Sequence, residues 1–468
     1  MAKKSIFIII ALILLLPPSA IYAQDNPDNP IYIVQPGENL YEIAAKFSVD
    51  VQELITTNGI INANLISEGT ELRIPGLDGV SGVLITSPVQ VGETLQVLLR
   101  KSNISLESFQ RLNKITSPAE LFVGSNLILP DDGKDLQASN NLFVINPNTT
   151  IFDESILSGT NRWSINRYDD VISPINLPGE SYFYFSDKTN SLISTISASI
   201  ESIELRPLPI VQGHTAVISV KTKGSAAFSG YMNGHTLHFF PDETGQSYYA
   251  LHGLHALDEP GLVPLQIDGH FENGDDFHLD QMVLLTSGGF VNETLTVEST
   301  LIDEALNIEE ANKIQGILFP VSDKKLWNDA FHFPIDGTLS DGSIAISSYF
   351  GNRSSYNNGE YFGFHGGLDF WVVLNSLNIY APAPGTIIFA GPMDIRGYTT
   401  FIDHGQGVVS GYGHQSEILV EEGQHVETGD LIGLIGKTGR VTGPHLHWDI
   451  WVNGNQIDPF DWIENQYP

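Results

Sequence analysis

The sequence predicts a multidomain chain: two small α+β modules, a β-sandwich middle region, and a mostly antiparallel β domain at the C-terminus. Three observations carry this. A strand–helix–helix–strand pattern spans 31–75 and returns over 83–130, at an offset of about 55 residues. Alternation of apolar and polar residues, broken by turn signals, dominates from about 205 to 295. The stretch after residue 330 is β-rich and holds seven of the fourteen histidines. A length of 468 residues suits about three domains of roughly 150 residues each.

Composition narrows the function classes. Lys+Arg 22 against Asp+Glu 55 gives a formal net charge of −33. Such a surface repels nucleic acid and anionic membranes, so neither is an expected partner. Cysteine is absent, which excludes disulfides and thiolate-bound metals. A metal here has to sit on His, Asp or Glu. At the N-terminus, Lys3 and Lys4 precede the apolar run Ser5 to Leu16, then Pro17-Pro18 and the small residues around Ala20 and Ala23. This reads as a secretory signal over 1–23, its apolar run of about a dozen residues being shorter than the roughly 20 of a membrane span. The mature chain is then expected to lack an integral membrane segment.

In the first module, Ile31 to Val34 predict a strand and Gln35 to Asn39 a turn. Leu40, Ile43, Ala44 and Phe47 share one face of a helix. Val51, Leu54 and Ile55 mark a second helix ending near Asn58-Gly59, and Glu71 to Pro75 close with a strand. "YIVQPGENLYEIAAKF" and "NLISEGTELRIP" closely resemble a LysM module. In 83–130, Gly92-Glu93-Thr94-Leu95 aligns with Gly37-Glu38-Asn39-Leu40, so this is a second, divergent copy. The resemblance implies binding of N-acetylglucosamine-containing glycans between two loops. In the first module these hold Gly37, Glu38, Asn39 and Leu40, and Ile61 and Asn62.

A polar linker is expected over 131–141, and a β-rich, immunoglobulin-like region over 142–299. There Asn233-Gly234 predicts a hairpin turn and Pro264 an edge strand. The pairs His235/His238 and His252/His255 are three apart, so on a strand they face opposite ways and make poor metal sites. An amphipathic connecting helix and linker occupy 300–330, with Leu301, Ala305, Ile308, Ala311 and Ile314 on the apolar face.

The chemistry lies in 331–468. His365-Gly366-Gly367-Leu368-Asp369 places a histidine and a carboxylate around a glycine bend that lets them converge. His445 and His447 are two apart on a predicted strand, so both rings project to one face, and one of them can bind a metal while the other stays free. Two histidines and one carboxylate suit Zn²⁺ with a fourth position open. Gly411-Tyr412-Gly413-His414 supplies a further histidine at a strand end. His404 reads as a fold-bracing residue and His425 as a solvated turn residue.

With "APAPGTIIFAG", "IDHGQGVVSGYGH" and "VETGDLIGLIGKTGRVTGPHLHWDI", the region closely resembles lysostaphin/LytM-type zinc metallopeptidases, endopeptidases of bacterial peptidoglycan. The resemblance implies one Zn²⁺ per chain on His365, Asp369 and His447. It leaves His414 and His445 as catalytic acid, base or oxyanion-stabilising groups, and places Tyr398 where some members have an assisting tyrosine. The function implied is a secreted bacterial endopeptidase, extracellular or in the cell envelope, that cuts peptide cross-links or stem peptides of peptidoglycan and is held there by its glycan-binding modules. The alternatives are a non-enzymatic LytM-like regulator of wall amidases, or a glycan-binding adhesin.

Overall fold

The computed structural model describes residues 29–102, 104–131, 141–144, 165–167, 182–185, 199–295, 304–319, 321–356, 361–371 and 376–468. The expected signal, most of the linker and most of 142–198 lie outside them. Two compact units result, one of residues 1–87, 94–120 and 126–137, the other of the remainder. Among the described residues no helix is long and apolar enough to cross a membrane.

In the first unit the strands Ile31–Ile33 and Glu71–Arg73 pair antiparallel, flanking helices Leu40–Phe47 and Val51–Asn58. Local chemistry sets the helix ends. The Asn39 side chain accepts from the Tyr41 and Glu42 N–H groups, while Glu42 reaches back to the Asn39 N–H, forming a capping box. Gly59, in the left-handed region at φ 59°, ends the second helix. The first helix buries Leu40, Ile43, Ala44 and Phe47, as its periodicity predicts. The second buries Leu54, with Val51 and Ile55 half-buried. The repeat follows with helices Leu95–Ser102 and Leu106–Asn113, and its opening strand Val83–Pro88 pairs in parallel with Ile31–Ile33.

A polar device recurs with the repeat. Asn58 Nδ2 donates to the Leu54 and Arg73 carbonyls at 2.9 and 2.8 Å, and its Oδ1 accepts from Arg73 N–H at 2.7 Å. Asn113 does the same with Phe109 and Ile128. Each asparagine ties the end of its second helix to its closing strand.

In the second unit, residues 200–286 form two sheets. One runs Phe240–Pro241, Ser247–Gly253, Thr215–Thr222, Ile200–Arg206; the other His235–His238, Ala226–Met232, Gly261–Phe271, Asp276–Thr286, Ile210–Val211. Ile203, Leu205, Ile218, Val220, Leu265, Ile267 and Val283 share one core. Asn233 and Gly234 turn the predicted hairpin with φ of 46° and 89°. Pro264 corrects an expectation: its strand is interior, between Ala226–Met232 and Asp276–Thr286. Pairing with Ala226–Met232 stops at Leu265, and the Pro264 carbonyl accepts from Asn233 N–H in the turn. The missing N–H therefore faces a turn and deprives no strand.

The helix Glu304–Leu318 is present, but its buried stripe differs from the expected one. Ala305, Ile308 and Ala311 are exposed, while Glu310, Ile314 and Leu318 are buried. Ile314 and Leu318 pack with Met393, Phe401, Val409 and Trp451.

Among the described residues the C-terminal sheet has ten strands. Its main path is Ala345–Ser348, Leu368–Trp371, His445–Val452, Val408–Ile418, Gly397–Gly405, Gly385–Met393, His425–Val426, and its pairings are antiparallel. Leu368, Phe370, Tyr412, Leu446, Trp448 and Ile450 fill the core beneath it, so the alternate residues of the same strands face outward.

Candidate active site

Register assembles the site. Strand Leu368–Trp371 runs antiparallel to His445–Val452 with Asp369 opposite His447, and on the other side Gly413 stands opposite His447. Asp369, His445 and His447 thus share one sheet face. Glycine is needed before Asp369, because a Cβ on Gly367 would lie 2.3 Å from the Trp448 carbonyl oxygen.

Three donor atoms converge. His447 Nδ1 lies 2.8 Å from Asp369 Oδ1, His365 Nε2 lies 3.0 Å from the same oxygen, and the two nitrogens are 3.1 Å apart. Among the described residues this trio is the one cluster of three such groups close enough to hold a metal ion. Ion–ligand bonds of about 2.0–2.1 Å in a tetrahedral sphere require donors spaced about this far apart. The donor set also fits chemically. His365 Nδ1–H donates to the Tyr349 carbonyl at 3.0 Å, leaving a lone pair on Nε2. His447 turns Nε2 toward the buried Asp449, 3.8 Å away, leaving Nδ1 for an ion.

Two more histidines flank the trio. The ring of His414 lies 4.8 Å from that of His445 and 6.2 Å from that of His447. Their tautomers are set by main-chain acceptors: His414 Nδ1–H donates to the Thr438 carbonyl and His445 Nδ1–H to that of Gly443, both at 2.9 Å. Each keeps Nε2 as a base. His414 itself sits in the left-handed region at φ 63°, its N–H donating to the Arg396 carbonyl at 2.7 Å.

The electrostatics are lopsided. Burial, reinforced by His447 and His445, pushes His414 down to about 3, so it is neutral at pH 7. Burial works against charge on His447 too, but the carboxylates of Asp369 and Asp449 lift it to about 9. Against a large burial penalty, the adjacent His365 and His447 rings hold the Asp369 carboxyl well below its usual range. Asp369 and Asp449 thus draw positive charge to His447, as a proton or as an ion on Nδ1, while His414 beside it stays neutral.

The sequence-predicted residues fall as follows. His365, Asp369, His414, His445 and His447 come together. Tyr398 is 43% exposed on Gly397–Gly405; its N–H donates to Thr438 Oγ1, and among the described residues no contact of its ring with the histidines is seen. His404 is fully buried between the Pro384 carbonyl and Ser410 Oγ, and His425 is exposed beside Glu427. In the first repeat, a groove of about 570 Å³ runs between Glu38–Glu42 and Ala63–Ile66. Glu38 there is held by the Tyr32 hydroxyl and Lys46, Asn39 is occupied in capping, Leu40 is buried, and Ile61 is fully exposed. Asp449 and Arg396 escaped the sequence reading. The Arg396 guanidinium binds Asp449, which also accepts from Gln456 Nε2 at 2.9 Å. Strand alternation places Asp449 two residues from His447, and that signal was available.

Comparison with known proteins finds family matches in two parts of the chain. Residues 363–459 match peptidase family M23, and residues 32–75 and 89–130 match the LysM domain. Peptidoglycan DD-endopeptidase ShyA of Vibrio cholerae is 30% identical over 44% of this chain and 48% of its own length. DD-carboxypeptidase/endopeptidase Mpg of Neisseria meningitidis is 38% identical over 20% of this chain and 22% of its own. The matched stretches thus span about half or less of those relatives. A solved structure described as a peptidase M23 from Pseudomonas aeruginosa is 26% identical, covering 55% of this chain and 96% of its own with a TM-score of 0.40. The chain therefore carries a peptidase family M23 domain and two LysM domains.

Proposed function

We propose that this chain is a secreted, zinc-dependent endopeptidase that hydrolyses peptide cross-links or stem peptides of bacterial peptidoglycan, directed to the wall by its LysM modules. The observation that carries this reading is the convergence of His365 Nε2, Asp369 Oδ1 and His447 Nδ1, with His414 and His445 beside them. In this reading the three converging residues hold the ion, and a bound zinc supplies Lewis-acid activation of water and of a peptide carbonyl. His414 and His445, each with a lone pair on Nε2, are placed to take the proton of the attacking water and return it to the leaving amine. In their protonated form they donate to the developing oxyanion. Tyr398 is the candidate assisting tyrosine in this reading.

The groove between Glu38–Glu42 and Ala63–Ile66 supports glycan binding by the first module. The domain division proposed is 1–23 signal, 31–75 and 83–130 LysM, 131–141 linker, 142–299 β-rich and immunoglobulin-like, 300–330 connecting helix and linker, 331–468 peptidase. Metal analysis tests the core of the proposal. The wild-type protein holds one equivalent of zinc, and His365→Ala, Asp369→Ala and His447→Ala lose it. A full equivalent in the His447→Ala protein overturns the ligand assignment. Mass spectrometry of fragments from defined muropeptides tests the reaction, and unchanged cross-links overturn it.

A further inference from the structure

Glu310 is 6% exposed, on a helix that precedes the matched peptidase region. Its carboxylate accepts two main-chain hydrogen bonds, Oε2 from Ile395 N–H at 2.7 Å and Oε1 from Arg396 N–H at 3.0 Å. Both donors sit in the turn between Gly385–Met393 and Gly397–Gly405. That turn reaches the site twice. The Arg396 carbonyl accepts the N–H of His414, and the Arg396 guanidinium binds the buried Asp449, whose Oδ2 stands 3.8 Å from His447 Nε2.

Burying a carboxylate is costly, and apolar Ile314 and Leu318 already dock the helix. A glutamate at 310 is therefore poorly explained by docking alone. Its two acceptor oxygens fix the direction of two consecutive peptide units, and with them both outgoing contacts of Arg396.

We infer that Glu310 is a positioning residue of the peptidase site, acting through the 394–397 turn to hold His414 and, by way of Arg396 and Asp449, the ring of His447. This rests on the peptidase reading above. Partners that orient metal ligands matter by about 10- to 100-fold in metal affinity or activity. Glu310 acts one contact further out, so the lower end applies.

The test uses the full chain with Glu310→Gln, Glu310→Ala and, as a docking control, Gln315→Ala, whose side chain bonds the Gly454 carbonyl from the same helix. Zinc affinity is read by competition with a chromogenic chelator, and kcat and KM on a soluble cross-linked muropeptide dimer. Both Glu310 variants are expected to lose about 10-fold in kcat and in zinc affinity, with KM within about twofold. Gln315→Ala is expected to keep both. Glu310→Gln preserves size and one acceptor oxygen, and it carries the test where Glu310→Ala unfolds. Wild-type kcat and zinc affinity in Glu310→Gln overturn the inference, as does an equal loss in Gln315→Ala, which reduces the effect to docking. A wild-type chain that binds no zinc or cleaves no muropeptide overturns the peptidase reading itself, and this inference with it.

Discussion

His414 and His445 differ from the converging trio in one respect that experiment can isolate. Each donates Nδ1–H to a main-chain carbonyl and offers Nε2 to the cleft, yet neither belongs to the cluster of donor atoms. Their alanine variants are therefore expected to retain zinc while kcat falls at least about 10²-fold. The double variant is expected to lose less than the product of the two, because both act on one tetrahedral intermediate. Near-wild-type rates in both single variants overturn the roles. His404 makes a different prediction, one of stability. Burial pushes it from 6.5 down to about 4. Between those values the unfolded chain binds a proton that the folded chain refuses, so stability falls as pH drops through the window, by up to about 3 kcal/mol. Urea unfolding at pH 7 and pH 4.5 checks this, with a shallower pH dependence expected for His404→Gln. An unchanged dependence removes His404 as its source. At this scale part of the site was legible in sequence, because the glycine bend between His365 and Asp369 and the strand alternation of His445 and His447 bring each pair together, while the meeting of the two pairs comes from the register that sets Asp369 opposite His447. Arg396 was not, because a side chain reaching from a turn to a buried carboxylate leaves no periodic trace, whereas Asp449, two residues beyond His447 on the same strand, was open to the same alternation.

Elements show where patterning works and where it fails. The helix Leu40–Phe47 buries all four residues its period selects, since its apolar stripe is continuous. The helix Glu304–Leu318 turns a different face inward, because an acidic side chain with two main-chain donors outweighs the exposed Ile308. Pro264 sits in an interior strand because its neighbour ends one residue earlier. The repeated asparagine ties were not read in sequence either, although Asn58 and Asn113 recur at the offset of the repeat. Replacing Asn113 by alanine leaves the Ile128 N–H and carbonyl without their partner, at a cost of about 1–3 kcal/mol. Hydrogen exchange at the Ile128 amide measures it: a faster rate in Asn113→Ala is expected, and unchanged protection shows that the tie contributes nothing. The equivalent change at Asn58 is expected to act on Arg73.

For the molecule as a whole, a net charge of −33 makes long-range attraction to an anionic polymer unavailable. Retention at such a surface then depends on short-range contacts, and tethering raises effective concentration without altering the chemistry. Deleting residues 24–135 is expected to leave hydrolysis of small muropeptides nearly unchanged while slowing lysis of intact sacculi. Equal lysis by both forms assigns the repeats a scaffold role. The two LysM modules and the peptidase region were legible because each carries its own pattern of strands, helices and motifs. The helix preceding the peptidase has a consequence for how such chains are reassembled over time. Its Glu310 and the 394–397 turn make sense only as a pair. A recombination event that joins a foreign N-terminal half downstream of residue 318 would import a sheet without its clasp. Crossovers that keep Glu310 with its turn are expected upstream of residue 304, which would pass on the helix and the sheet together as one unit.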